Sequence, residues 1–422
     1  MNYFGTNGIQ GIFGSTINSG TAFLLGNSLS LVGGDCPIVV VASDTRPSSK
    51  ELMQGLVCGI YQGGGNVINL GILPTNAVGH FVRKFGGDYG VMVTAPTSEI
   101  SHNGCVVFDR YGVELCHSKQ VEISKKMHLL ATEIPPKSKV FEPRFYDIDN
   151  IYAEDLVRLV KCKFHGKKVV LHCGNGAGAK VAQKAFALAG AQVVPFAVKP
   201  HNATENFLQN NDFLQATVGS IGFALDVNCQ SVQVVENSTP LSQNKVLFAI
   251  AKYLLQQGNL PNNRLCAGHF VNNGLCRSLN KIGIKVCKCK HGLGNLFMMM
   301  VKHGLTFGGQ MGCYVFGNHA TYSDGILSAL VLAQISQQVG SIANFAKGCV
   351  ESPSTFQTIA SEPKFCRDDK LQALQKRIAV AFPNCKVVLC NNSPSTVSAY
   401  TEGQNNLEAM QMVVATLSQP NV

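Results

Sequence analysis

The sequence predicts an α/β protein: three tandem, similar α/β domains with mixed sheets and a C-terminal α+β domain, set around a central cleft. Three observations lead to this. The chain has 422 residues, too long for one core, and roughly three or four domains is the prior for that length. A strand, polar turn, helix, strand pattern recurs three times. The C-terminal stretch then breaks it.

The first copy runs through the apolar strand Pro37–Ala42, the turn Asp44-Thr-Arg46, a helix over roughly 48 to 62 and the strand Gly65–Leu70. The second has Lys168–His172, the turn Gly174–Gly178, a helix, and Gly190–Val194. The third has Leu265–Val271, the turn Asn272–Gly274, a helix, and Gly283–Cys287. Continuously apolar strands joined by helices argue for parallel β-α-β units. Ligands of such units gather beyond the carboxyl ends of the strands, where a cleft is expected. The last part reads as an amphipathic helix over Asp368–Ile378, a strand Lys386–Cys390, a turn Asn391–Thr396, a strand Val397–Thr401 and a helix over about 406 to 418. Polar or Pro-rich linkers are expected near 134–137, 236–240 and 351–354. The expected domains are 1–145, 146–240, 241–362 and 363–422.

Apolar residues at 45% can fill such cores, and charged residues are only 14%, against roughly 25% in ordinary soluble proteins. The net charge of +10 is scattered. Its densest basic run, Lys161–Lys168, is interrupted by Cys162 and Phe164. That favours a solvated face over nucleic-acid binding. No signal peptide and no membrane span are expected, so the location expected is cytoplasmic. Sixteen cysteines spread through apolar segments read as reduced, buried small hydrophobes. The one cluster, Cys287, Cys289 and His291, lacks a second ligand pair with finger-like spacing. The glycines at 174, 176 and 178 have the wrong spacing for a dinucleotide turn.

Residues 94 to 104, Thr-Ala-Pro-Thr-Ser-Glu-Ile-Ser-His-Asn-Gly, have the layout of a catalytic loop at a strand end. Tyr3-Phe-Gly-Thr-Asn-Gly-Ile-Gln-Gly11 resembles the opening Y-F-G-T-D-G-I-R-G of the phosphoglucosamine mutases of the α-D-phosphohexomutase superfamily. Asp44-Thr-Arg46 resembles their D-T-R and Leu73-Pro-Thr75 part of their P-T-P. Asn175–Gly178 is similar to their N-G-A-G. Gly308-Gly309, followed by Ser323-Asp-Gly-Ile326, is similar to their sugar-loop region. The resemblance is collinear over essentially the whole chain. It implies four domains around one cleft and transfer of a phosphoryl group between the 6- and 1-hydroxyls of a hexose phosphate. In the family that transfer uses a phosphoserine, Mg2+ and a bisphosphate intermediate.

Phosphoryl transfer needs a carrier, a hard cation on carboxylates and cationic side chains for phosphate. Aligned to the family, Pro96 stands at the phosphoserine, with Thr97 and Ser98 as the nearest substitute hydroxyls, and Val106 replaces a lysine. In the D-G-D-G-D-R metal loop, Asp226 survives while Asn228, Gln230 and Ser231 replace the two other acids and the arginine. Neutral amides add no charge, so Mg2+ is expected to bind weakly or not at all. In the sugar loop Gly308 and Gly309 remain, with Gln310 for the acid, and Gly292-Leu-Gly294 stands for G-D-R. The phosphate loop keeps the hydroxyls of Ser393, Ser395, Thr396 and Ser398 but has no basic residue, which removes the bidentate part of phosphate binding. Of the family arginines, Arg46 alone remains, where it can hold the loop. The four losses agree with one another. They predict a phosphohexomutase-like protein without mutase activity, acting by binding or regulation, with a hexose, hexose phosphate, protein partner or second copy as its ligand. The alternatives are a divergent active mutase carrying phosphate on Thr97 or Ser98, and a neutral-sugar binding protein.

Overall fold

The computed structural model describes residues 3–5, 8–95, 100–132, 144–145, 148–199, 206–362, 365–393 and 396–418. The first unit contains β1 (Ile9–Ile12), α1 (Ser19–Val32), β2 (Ile38–Ser43), α2 (Ser49–Gln62), β3 (Asn66–Ile72), α3 (Thr75–Phe85), β4 (Tyr89–Val93), β5 (His102–Asp109), α4 (His117–Leu130) and β6 (Arg144–Phe145). Its sheet has the order β1-β5-β4-β2-β3-β6. β2 is parallel to β3 and β4, whereas β5 runs antiparallel to β4 and β1. Val39, Val40, Val41 and Ala42 are fully buried, as a parallel strand covered on both faces must be.

The second unit contains α5 (Asp149–Val160), β7 (Lys168–His172), α6 (Ala179–Leu188), β8 (Gln192–Phe196), α7 (Asn211–Ala216), β9 (Ile221–Leu225), β10 (Val232–Glu236) and β11 (Thr239–Pro240). Its sheet order is β11-β10-β9-β7-β8. The third contains α8 (Gln243–Gln256), β12 (Arg264–Gly268), α9 (Asn273–Lys281), β13 (Lys285–Cys289), α10 (Leu293–His303), β14 (Phe307–Gln310), β15 (Cys313–Phe316), α11 (Gly325–Val339) and α12 (Ile342–Phe345), with sheet order β13-β12-β14-β15. In both, parallel β-α-β pairs end in an antiparallel hairpin, β9–β10 or β14–β15. The fourth contains β16 (Ser354–Ala360), α13 (Asp368–Ala381), β17 (Cys385–Ser393), β18 (Thr396–Gly403) and α14 (Asn406–Leu417), with an antiparallel sheet of order β16-β18-β17.

Two of the expected linkers carry strand structure. Segment 236–240 is a hairpin, in which Asn237 and Ser238 take positive φ (48° and 61°) between the paired Glu236 and Thr239. That is the geometry a two-residue turn requires. Segment 351–354 leads into β16, which begins upstream of position 363 and pairs with β18. The strand expected to reach Val271 ends at Gly268. The segment 134–137 lies outside the described residues.

One continuous core links the first three units, through α3, Tyr152 of α5, α6, α8 and α11. A second core fills the opposite face of the first sheet, under α1, α2 and α4. The fourth unit has a core of its own.

Candidate functional site

β2 ends at Ser43 and α2 begins at Ser49, so the intervening turn places Asp44, Thr45 and Arg46 at the carboxyl edge of the sheet. All three are at most 5% exposed. Asp44 accepts from Arg46 Nε (3.0 Å), the Arg46 N–H (3.0 Å), Ser49 Oγ (2.6 Å) and Thr94 Oγ1 (2.8 Å). A buried ion pair is tolerable only when its remaining lone pairs are met in this way. Arg46 Nη2 donates to the carbonyl of Ala95 at 2.9 Å. At the other end of the 94–104 loop, Asn103 Nδ2 donates to Ser48 Oγ (2.8 Å) and Ser49 Oγ (3.0 Å), while its Oδ1 accepts from the Gly104 N–H. The turn therefore clamps both ends of the loop. Pro96, Thr97 and Ser98 lie outside the described residues.

The loop between β9 and β10 carries Asp226, Asn228 and Gln230. Asp226 Oδ1 accepts from the Ser231 N–H at 3.1 Å. Burial pushes its carboxyl up from the ordinary range, and the Ser231 hydrogen bonds pull it partly back. Asn228 and Gln230 are 3% and 7% exposed. The loop's backbone binds neighbouring units. The Asn228 carbonyl accepts from Thr75 N–H (3.1 Å) and Oγ1 (3.3 Å), the Gln230 carbonyl from Ser323 Oγ, and the Cys229 carbonyl from the Gly325 N–H at 2.7 Å. The glycines of Asn175–Gly178 serve this packing. A Cβ on Gly176 would lie 2.4 Å from the Val227 carbonyl, and one on Gly178 would lie 2.1 Å from Cys229 Sγ.

Gly308 and Gly309 are buried in β14, opposite Val315 and Tyr314. Met311 and Gly312, at φ 47° and 82°, close the hairpin. Gln310 is half-buried, and its Oε1 is buried with no hydrogen-bond partner. The hairpin borders a cavity of about 210 Å³ that also touches Phe356 of β16 and Tyr400 of β18. In the fourth unit Ser393 pairs with Thr396 across the β17–β18 turn, and Ser398 is 2% exposed in the central strand. Ser395 lies outside the described residues, and for Ser393 the backbone alone is described. Cys287 Sγ accepts from Arg264 Nη2 at 2.9 Å, and the His291 ring packs 4.7 Å from that of Phe270.

Sequence reasoning passed over the node that joins the first three units. Asp324 caps α11, accepting from the N–H groups of Ile326 (2.8 Å) and Leu327 (2.9 Å). Its Oδ2 accepts from Tyr152 Oη and from Asn76 Nδ2 (3.3 Å). Burial raises its carboxyl, against hydrogen bonds that lower it. The Ser323-Asp-Gly-Ile326 resemblance pointed at Asp324, but no local signal pointed at Asn76 or Tyr152.

Residues 1–132 match the family model "Phosphoglucomutase/phosphomannomutase, alpha/beta/alpha domain I", and residues 242–352 match "domain III" of the same family. A phosphoglucosamine mutase of Clostridioides difficile is 30% identical over 354 residues, covering 80% of this chain and 78% of that protein. The chain belongs to the phosphohexomutase family. Among solved structures, a phosphoglucomutase/phosphomannomutase family protein of Burkholderia thailandensis shares the phosphohexomutase fold at TM-score 0.77 and 21% identity, over 97% of this chain and 95% of that one. An N-acetylphosphoglucosamine mutase of Aspergillus fumigatus, solved in complex with GlcNAc-6P and magnesium, aligns at TM-score 0.61 and 12% identity, over 99% and 94%. Phosphohexomutases thus include hexose-phosphate and magnesium complexes. No described helix of this member is long and apolar enough to cross a membrane.

Proposed function

We propose that this phosphohexomutase-family protein does not transfer phosphate and acts through binding or regulation. The observation that carries the reading is the β9–β10 loop. Its one carboxylate, Asp226, is engaged by the Ser231 N–H, and its neighbours Asn228 and Gln230 are buried neutral amides. Mg2+ demands near-octahedral hard oxygen donors and gives up water reluctantly. This donor set does not fit it. The clamp around Arg46 agrees: the guanidinium is bound to Asp44 and the Ala95 carbonyl, so its charge is already engaged in holding the loop. A cytoplasmic location belongs to the same reading, because sixteen cysteines scattered through the chain suit a reducing compartment. The ligand is a hexose, a hexose phosphate, a protein partner or a second copy of the chain.

The test is an assay of the purified protein with Mg2+ and a hexose bisphosphate activator. No turnover of glucosamine 6-phosphate is expected; sustained conversion to the 1-phosphate would sink the proposal. The second reading, an active divergent mutase, is favoured by the 30% identity to a phosphoglucosamine mutase. It predicts a stable phosphorylated residue within 94–102 in intact-mass spectra, lost when Thr97 and Ser98 are replaced by Ala.

A further inference from the structure

The third sheet adds a thiol to the pair Cys287 and Cys289. β12 and β13 run parallel, with Arg264 opposite Lys285, Cys266 opposite Cys287 and Gly268 opposite Cys289. Register partners share a face of the sheet, and so do positions two apart on one strand. Arg264, Cys266, Cys287 and Cys289 therefore lie on one face. It is the face under α10: a Cβ on Gly308, which pairs with Cys266, would lie 2.7 Å from Met300 Sδ.

The three thiols differ in their surroundings. Cys266 is fully buried and Cys289 is 2% exposed. Cys287 is partly exposed, on the edge strand of the sheet. Arg264 Nη2 donates to Cys287 Sγ at 2.9 Å. The guanidinium charge there stabilises the negative charge a sulfur carries as it attacks an electrophile. Cys266 is hydrogen-bonded to Cys289, which raises the Cys266 thiol and lowers that of Cys289. Cys266 thus holds the proton and the Cys289 sulfur accepts it.

Such a trio suggests metal binding or oxidation. Among the described residues, no three His, Cys, Asp or Glu side chains are grouped so as to hold a metal ion. Oxidation needs only two sulfurs in reach. Paired strands lie about 4.8 Å apart, so Cys266 and Cys287 fall inside the Cα window of about 4.4–6.8 Å for a disulfide. Cys266 and Cys289 lie on a diagonal of about 8 Å between Cα atoms, beyond that window.

We propose that Cys287 is a peroxide-sensitive thiol that closes a reversible disulfide with Cys266. The Cys287 sulfur attacks one oxygen of hydrogen peroxide. The O–O bond breaks, the sulfur becomes a sulfenic acid, and the other oxygen leaves as water with the thiol proton. The Cys266 sulfur then attacks the sulfenic sulfur. Its proton passes through Cys289 to the departing hydroxyl, which leaves as a second water. Two thiols and one peroxide give one disulfide and two waters, and a thiol reductant reverses the change. Burial does not hinder the second step, because Cys266 stands opposite Cys287 and needs no access from solvent.

Full-length reduced protein is treated with hydrogen peroxide, blocked with N-ethylmaleimide and digested with trypsin. Cleavage after Lys285, Lys288 and Lys290 puts Cys287 and Cys289 on separate peptides. The expected product is a bridge between peptides 286–288 and 265–277, assigned to Cys266 rather than Cys276 by fragmentation and removed by dithiothreitol. Cys287→Ser, at a partly exposed position, should abolish the bridge. Cys266→Ser should leave Cys287 as a sulfenic acid that dimedone labels, and Cys289→Ala should raise dimedone labelling by slowing closure. Arg264→Gln should slow Cys287 oxidation about tenfold, the loss of one charge-assisted hydrogen bond. The proposal is overturned by absence of the bridge, by a bridge from Cys287 to any other cysteine, or by Arg264→Gln oxidising as fast as the parent.

Discussion

At the residue scale, the buried acids bear the greatest electrostatic stress, and Glu114 is the clearest case. It follows β5, is 7% exposed, and neither carboxylate oxygen has a hydrogen bond of normal geometry. Gly294, in the first turn of α10, lies close by. Burial pushes the carboxyl up to about 7, and the Gly294 N–H pulls it back only partly. The folded state therefore holds its proton more tightly than the unfolded chain. Stability from this group is present below about pH 4.5 and falls as pH rises toward 7. Glu114→Gln should make the protein more stable than the parent at pH 8, by about 3 kcal/mol, with the gap closing by pH 4.5. Urea melts at both pH values measure this. An equal gap at both, or a loss at pH 8, would count against a buried, unmet carboxylate. Sequence reasoning passed over Glu114; Gly294, against which it packs, lies in a helix far along the chain.

At the element scale, the strand–turn–helix units were largely legible. The strand Lys168–His172 has the bounds that its apolar run suggests, because a buried parallel strand needs an unbroken apolar stretch. β16 was missed. Its residues Ser354-Thr-Phe-Gln-Thr-Ile-Ala360 are mostly exposed, since it is an edge strand of the fourth sheet. An edge strand needs little apolar patterning, and its partner β18 lies some forty positions away in the chain. The glycine-rich turn of the second unit was visible as a motif, but its purpose was not. Gly176→Ala should force the β9–β10 loop off the turn and cost about 1–3 kcal/mol, read as a lower denaturant midpoint with an unchanged slope. An unaltered midpoint would mean that the loop can move aside freely.

At the whole-molecule scale, a chain poor in charge spends its acids at the joints of the third unit. Glu236, at the end of β10, accepts from Ser341 Oγ (2.7 Å) and from the N–H groups of Ile342 (2.7 Å) and Ala343 (3.1 Å). Asp324 gathers Asn76 and Tyr152. Glu402, in β18, accepts from the Asn273 N–H at the start of α9 (2.6 Å) and pairs with Lys386. Carboxylates at helix N-termini meet unpaired N–H groups and a favourable dipole. The fourth unit has its own core, and this latch ties it to the start of α9. Glu402→Ala should weaken the docking of the fourth unit by about 1–3 kcal/mol. Amide exchange should speed up at the start of α9 and across β16–β18, while the first two units keep their protection. Unchanged exchange at α9 would show that the latch contributes nothing.

Sequence alone determined the repeated β-α-β units, their turns, the family resemblance and the neutral residues in the metal and phosphate loops. These are properties of short segments, written in local periodicity and in which side chains carry charge. Tertiary structure decided which carboxylate caps which helix, why Gly176 and Gly178 must be small, and that aromatic rings from β15, β16, β18 and the segment after β12 line one cavity. Asn76, Tyr152 and Asp324 meet across separations of 76, 172 and 248 positions. No local pattern encodes such contacts, because they form only when separate cores pack and each buried polar group must find whatever partner the packing brings.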